Sequence, residues 1–411
     1  MSAGTVIIAG AGQSGAQAAV SLRQEGFEGR IVLIGDEPSL PYQRPPLSKA
    51  YLAGKVEEPG LLLRAEKVYA DQRVELMLGQ RIEAIDRANH SIRLASGATI
   101  EYSHLVLALG ARNRPLPVAG AELKGVCYLR TLAEARSLRE RLGSISRAVV
   151  VGGGFIGLEF AAAARAQGIE VTVVEAAARP MSRVLSEQMS AYLSAKHEAN
   201  GVRIVVNRAV CRLLGENGQL SGVELDDGTV LDADVAVIGI GVLPNVELAE
   251  AAGLAVNNGI VVDDHLLTSD PAISAIGDCA AFPSSFAGGM IRLESVQNAV
   301  DQGRLVAARL GGKPAPYASV PWFWSEQYDV RLQMAGITSS HNQAVVRGSA
   351  QENAWSVFCF RDGVFLGAES VNRSPDHLAV RKLLGAGIAI TPEQAADPDY
   401  DLKQAAAAAG K

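Results

Sequence analysis

An α/β chain with two parallel-sheet folds and a smaller α+β domain behind them is predicted by three observations. A short apolar strand runs into a glycine-spaced turn and then an amphipathic helix at Gly10-Ala11-Gly12-Gln13-Ser14-Gly15. The same succession recurs at Gly152-Gly153-Gly154-Phe155-Ile156-Gly157. From about Ala318 the pattern changes to alternating aromatic and β-branched residues around Trp322, Trp324, Val357 and Phe365, which suggests a small antiparallel sheet with helices at its end. One glycine-spaced turn often serves packing alone, but two copies, each between a buried strand and a helix, predict two Rossmann-like dinucleotide folds.

The elements follow in order. Thr5 to Ala9 reads as a buried parallel strand, its helix ends at Gly26, and a second strand, Ile31 to Ile34, leads to Asp36 and Glu37, either of which can accept from a ribose diol. A proline-rich connection, Pro41 to Lys49, precedes the apolar run Leu105 to Leu109 and Gly110. Pro115 and Pro117 mark a linker into the second fold, where Ala148 to Val151 is the strand, Gly168 ends the helix, and Val171 to Val174 leads to Glu175. That fold closes with Asp234 to Gly241. Ala272 to Ile276, stopping at Gly277-Asp278, reads as the first fold resuming after the second was inserted into it. The expected domains are therefore 1–113 with 243–317, an inserted 114–242, and 318–411, with Ala405 to Ala409 a low-complexity frayed helix.

Composition excludes several classes. The 411 residues carry 38 basic and 44 acidic side chains, a net charge of -6, without long like-charge runs, so neither nucleic acid nor a membrane surface is expected as a partner. No basic residue precedes Arg23 and glycines break the first apolar segment, so no signal peptide or spanning helix is expected and a cytoplasmic location follows by default. Cys127, Cys211, Cys279 and Cys359 form no closely spaced dithiol, and the six histidines show no ligand spacing, so no metal site is expected.

Several longer segments carry a specific resemblance: PPLSK at Pro45 to Lys49, Leu129-Arg130-Thr131, GGGFIGLE at Gly152 to Glu159, Gly239 to Pro244, IGDC at Ile276 to Cys279, ESVQNA at Glu294 to Ala299, and PWFWSEQY at Pro321 to Tyr328. With the Gly10 turn, they resemble the NADH-dependent reductases of 2Fe-2S ferredoxins, of putidaredoxin reductase type, that serve cytochrome P450 enzymes and ring-hydroxylating oxygenases. The resemblance implies a glutathione-reductase-like architecture with FAD in the first fold, NADH in the inserted fold, and an interface domain at the C-terminus.

FAD rather than FMN is expected, because a fingerprint at Gly10, Gly12 and Gly15 recognises an ADP half that FMN lacks. The resemblance implies FAD contacts from Ser14, Asp36, Lys49, Ile82, Arg130, Asp278 and Val296; Glu37, Arg44 and Gly277 complete the expected set. Lys49 and Glu159 are expected beside flavin N5, with the carboxylate holding the ammonium in place. The positive end of a helix starting near Ser295 is expected at the pyrimidine side of the ring. The NADH set is Gly152, Gly154, Phe155, Ile156, Gly157, Glu175 and Gly241. Glu175 favours NADH, since a carboxylate accepts from a 2′-hydroxyl and repels a 2′-phosphate, and no cation follows until Arg179. Phe155 either borders the nicotinamide or packs in the core. On the family pattern Trp324 lies near the electron exit, Trp322 suits a core position better, and Arg304 is a docking candidate that as a lone helix arginine could equally be solvated.

These readings predict an NADH:ferredoxin oxidoreductase. Its alternatives are an NADH oxidase or peroxidase of related fold, whose redox cysteine has no counterpart near Pro45 to Lys49, and an apoptosis-inducing-factor-like binding protein controlled by its redox state.

Overall fold

A computed structural model describes residues 4–408, and the chain divides into two compact units. The first comprises Met1–Gln43, Pro59–Arg112 and Leu243–Pro321; the second comprises Arg44–Glu58, Asn113–Val242 and Trp322–Lys411.

In the first unit, parallel strands lie in the order Ile273–Ala275, His104–Leu107, Thr5–Ala9, Arg30–Gly35, Val74–Leu78. Ile7, Ile8, Val32, Leu33, Leu105 and Val106 are each 0% exposed. Both faces of the sheet are covered, which is why its strands read as unbroken apolar runs. The edge strand Ile273–Ala275 comes from late in the chain, as a resumed fold requires. The strand expected to reach Leu109 stops at Leu107. Ala108 gives its N–H to the Ala9 carbonyl at 2.7 Å. Its own carbonyl closes over the Gly10 turn, where a Cβ would lie 2.2 Å from that oxygen. The helix Gln13–Gln24 packs on the helix Val296–Leu310 at Gly303, where a Cβ would lie 2.8 Å from the Ser14 carbonyl oxygen.

The second unit contains a parallel sheet ordered Val202–Val206, Glu170–Glu175, Arg147–Val151, Val235–Ile238, Val126–Cys127. Of the run Asp234 to Gly241 only Val235–Ile238 is strand; just before it the Asp234 carboxylate accepts from the Ser146 and Arg147 amides, each at 2.8 Å. The C-terminal part of the same unit is an antiparallel sheet ordered Trp322–Gln327, Val330–Gly336, Val364–Val371, Ala354–Arg361, Gln343–Ser349. Phe358, Phe360, Val380, Leu383 and Leu402 join this sheet to the helices Ser374–Gly385 and Leu402–Ala408. The alanine run is thus helical through Ala408, while Ala409 lies outside the described residues.

Three buried histidines, His104, His197 and His377, should make the fold acid-sensitive, the first and last most strongly. Burial, then Arg309, pushes His104 down to about 3; burial, then Arg381, pushes His377 down to about 4. An unfolded histidine binds its proton near about pH 6.5, so the stability held in the neutral imidazoles is complete above that pH and is lost as pH falls toward the folded values. Each group can contribute a slope approaching about 1.4 kcal/mol per pH unit. Thermal unfolding midpoints should fall from about pH 6.5 to about pH 5. A His377→Gln variant should fall less steeply; equal slopes would assign the acid sensitivity to other groups.

Candidate active site

The two glycine turns show why each glycine is there. Gly10 has φ +113°, and a Cβ on Gly15 would lie 1.9 Å from the Gly10 carbonyl oxygen. Turn geometry and helix–strand packing therefore explain the first and third glycines. Gly12 is different: a Cβ there would meet nothing within 4 Å, and no side chain caps the helix Gln13–Gln24 that starts behind it. In the second turn Gly152 has φ +105°, a Cβ on Gly157 would lie 2.4 Å from the Gly152 carbonyl oxygen, no side chain caps the helix Phe155–Arg165, and a Cβ on Gly154 would meet only the Gly239 carbonyl oxygen, at 3.8 Å. Open space in front of uncapped amides at a helix N-terminus is what a pyrophosphate needs, and packing alone does not require it. The residues present therefore fit two dinucleotides.

Within the first unit, Ser14 is 6% exposed and faces Gly277, where a Cβ would lie 2.7 Å from Ser14 Oγ. Gly277 has φ +76° and donates its N–H to Gln302 Oε1 at 2.7 Å, which presents half-buried Asp278 in a tight turn. Val296 opens the helix Val296–Leu310, whose N-cap Ser295 accepts from the Asn298 amide at 3.0 Å. Half-buried Ile82 starts the strand Ile82–Asp86. Sheet register pairs Ala9 with Ile34 and Val151 with Val174, so Gly35 occupies the place that Glu175 has in the second fold. Asp36 and Glu37 lie one and two residues beyond it. Glu37 accepts from the Tyr42 hydroxyl at 2.6 Å, and Asp36 is exposed. Arg304 is exposed, with Asp301 3.9 Å away.

The second unit brings Lys49 and Glu159 together. Pro45–Ser48 forms a single 3₁₀ turn that ends on Lys49, and Glu159 lies one turn into the helix Phe155–Arg165. Lys49 Nζ is 2.8 Å from Glu159 Oε2 and 3.2 Å from the Pro45 carbonyl, using two of its three donors. Ser48 Oγ donates to Glu159 Oε2 at 2.6 Å, and Ser325 Oγ donates to Oε1 at 2.6 Å. Glu159 is 3% exposed, and three donors offset its desolvation. Ser48 and Ser325 lie inside the PPLSK and PWFWSEQY segments, yet nothing in their spacing assigned them a role.

Arg44 donates to the Arg130 carbonyl at 2.7 Å, and Arg130 leads into Thr131, the N-cap of the helix Leu132–Leu142, whose partner Glu134 completes a capping box. Glu175 accepts from the Gly153 amide at 2.7 Å and the Ala177 amide at 2.8 Å, so its carboxylate is oriented at the turn in advance. Arg179 donates to the Ser182 and Ser186 carbonyls. A second cation escaped sequence reasoning: the Arg208 amide donates to the Glu175 carbonyl at 3.2 Å, and its guanidinium is held by Asp227 at 2.6 Å. Gly241, with φ +99°, has open space where a Cβ would be.

Phe155 packs on Phe323 with ring centroids 4.7 Å apart, whereas Ile156 stays 43% exposed at the start of the nucleotide-turn helix. Trp322, Phe323, Trp324 and Ser325 alternate across an edge strand, so Trp324 stands on the face opposite Ser325 and is not drawn into the Glu159 cluster. Trp322 packs against the C-terminal core and under Arg381, whose guanidinium carbon is 4.6 Å from the ring centroid.

Residues 4–303 match the family model "Pyridine nucleotide-disulphide oxidoreductase", and residues 322–406 match "Reductase C-terminal". Rhodocoxin reductase of Rhodococcus erythropolis is 53% identical over 403 residues, covering 98% of this chain and 94% of that protein. The crystal structure of the ferredoxin reductase for the CYP199A2 system of Rhodopseudomonas palustris superposes with a TM-score of 0.96 at 53% identity, covering 98% of this chain and 99% of that one. The covalent putidaredoxin reductase–putidaredoxin complex matches with a TM-score of 0.95 at 40% identity and 99% coverage of both chains.

Proposed function

The chain belongs to the pyridine nucleotide-disulphide oxidoreductase family, and we propose from this that it is an NADH:ferredoxin oxidoreductase carrying FAD and serving a cytochrome P450 or ring-hydroxylating oxygenase. Bound FAD supplies the conversion from two-electron hydride chemistry with NADH to single-electron delivery to a 2Fe-2S ferredoxin. The observation that carries this reading is the presence of two glycine turns in front of uncapped helix N-termini together with a Lys49–Glu159 pair and no disulfide among the described residues. Burial pushes the Cys279 thiol up to about 11 and the Cys359 thiol higher still, so neither is a thiolate suited to exchange chemistry. Electrons then leave to an external carrier.

The residues divide the work as follows. In the first fold the Gly10–Gly15 turn takes the FAD pyrophosphate, Asp36 the adenosine ribose, and Asp278 the ribityl hydroxyls. Ser14, Gly277, Ile82 and Val296 would shape the walls there, and Arg44 and Arg130 of the second unit would supply cationic character. Lys49, fixed by Glu159, would supply a positive charge for the flavin. In the second fold the Gly152–Gly157 turn, Glu175 and Gly241 take NADH, while Ile156 and Phe155 line its approach. Trp324 lies near the exit to ferredoxin, with Arg304 a docking cation. Domains 1–113 with 243–317, 114–242 and 318–411 bind FAD, bind NADH and form the interface. Among the described residues no helix is long and apolar enough to cross a membrane. A reductase drawing on the NADH pool works in the cytoplasm.

The purified protein should be yellow, and heat should release one non-covalent FAD per chain, identified by chromatography. Release of FMN would contradict the role given to Gly12.

A further inference from the structure

Beyond the carboxylate of Glu159, a line of buried polar groups continues that the proposed function does not use. Ser325 Oγ, which bonds Glu159 Oε1, also bonds Gln327 Nε2 at 3.1 Å. Gln327 Oε1 is 2.8 Å from His197 Nε2, and His197 Nδ1 is 3.3 Å from the Tyr328 hydroxyl. Ser325, Gln327 and His197 are 1%, 3% and 0% exposed. His197 comes from the helix Glu187–Ala199, while the other three lie on the strand Trp322–Gln327 and its turn.

Donor and acceptor chemistry gives this line one direction. An ionised carboxylate only accepts, so Ser325 donates to Glu159 and its oxygen accepts from the Gln327 amide nitrogen. The Gln327 oxygen then faces His197 and must receive a proton from Nε2, which leaves Nδ1 as the acceptor for Tyr328. Burial pushes His197 below its usual value and raises Tyr328 to about 12, so a neutral imidazole and a protonated phenol are the forms present at working pH. Each bond polarises the next, and all four donors point toward Glu159.

We propose that Tyr328, His197, Gln327 and Ser325 form a one-way hydrogen-bond chain that holds Glu159, and through it Lys49, in position for flavin reduction. His197 and Gln327 are positioning residues in this chain. The inference rests on the reading that Lys49 serves the flavin.

Two experiments on the holoprotein test it. Long-range ¹⁵N–¹H NMR should show His197 as the Nε2–H tautomer at neutral pH; an Nδ1–H tautomer would overturn the chain, whatever Lys49 does. Flavin reduction by NADH and the flavin midpoint potential should then be measured in Gln327→Leu, His197→Leu, the double variant and His197→Gln. Each leucine variant should slow reduction by about threefold to tenfold and move the potential in the direction that Lys49→Met moves it. The double variant should be no worse than Gln327→Leu, because the links are in series. His197→Gln, whose amide can donate where Nε2 did, should recover most of the loss. Independent, additive losses with an unmoved potential would overturn the positioning role. A Lys49→Met variant with unaltered potential would instead overturn the flavin-side reading of the pair, leaving the tautomer to decide the chain.

Discussion

Replacing Lys49 with methionine should slow reduction of the bound flavin by NADH by about a hundredfold and lower the flavin midpoint potential. The ammonium is 2.8 Å from a carboxylate that is 2% exposed, while 18% of the lysine side chain remains open. A lysine held in this way presents a fixed positive charge, whereas a solvated one would be screened and mobile. Methionine keeps most of the stem but removes the charge, and Ser48 and Ser325 remain to bond Glu159. Stopped-flow reduction and a redox titration measure the two effects. Wild-type values for both would remove Lys49 from the flavin site.

Glu175→Ala should reduce the preference for NADH over NADPH, measured as the ratio of kcat/KM values, by about a hundredfold. The carboxylate is already oriented by the Gly153 and Ala177 amides, so it meets a ribose with no reorganisation. It also offers a 2′-phosphate only repulsion. The neighbouring cations give no relief, since Arg208 is paired with Asp227 and Arg179 is turned toward backbone carbonyls. Adding Asp227→Ala to the first substitution should release Arg208 and improve use of NADPH further. An unchanged ratio in Glu175→Ala would place coenzyme choice elsewhere.

The parallel folds were legible because strands buried on both faces show as unbroken apolar runs and because turns at positive φ call for glycine. Strand ends were less so: the Ala108 carbonyl closes over the Gly10 turn and the Asp234 carboxylate accepts from the Ser146 and Arg147 amides, contacts that local sequence does not reveal. Glu159 could be placed from its helix position, and its contact with Lys49 follows. Ser325 lies 166 residues from Glu159, and His197 lies 130 residues from Gln327, so the rest of that cluster is assembled only by folding. Hydroxyl, amide and imidazole groups in an apolar setting carry no periodic signal. Arg208 was missed for the same reason, since its approach to Glu175 comes from strand pairing and not from sequence proximity.

Electron delivery to ferredoxin is measured by NADH-driven reduction of cytochrome c. The holoprotein alone should reduce cytochrome c slowly, and adding a cognate 2Fe-2S ferredoxin should raise the rate by an order of magnitude or more. Because the chain carries a net charge of -6, an acidic ferredoxin must be drawn to a local basic patch, so the stimulated rate should fall as salt is added. Full activity toward cytochrome c without ferredoxin, unchanged by any ferredoxin from the same genome, would rule out ferredoxin as the electron acceptor and favour an NADH oxidase.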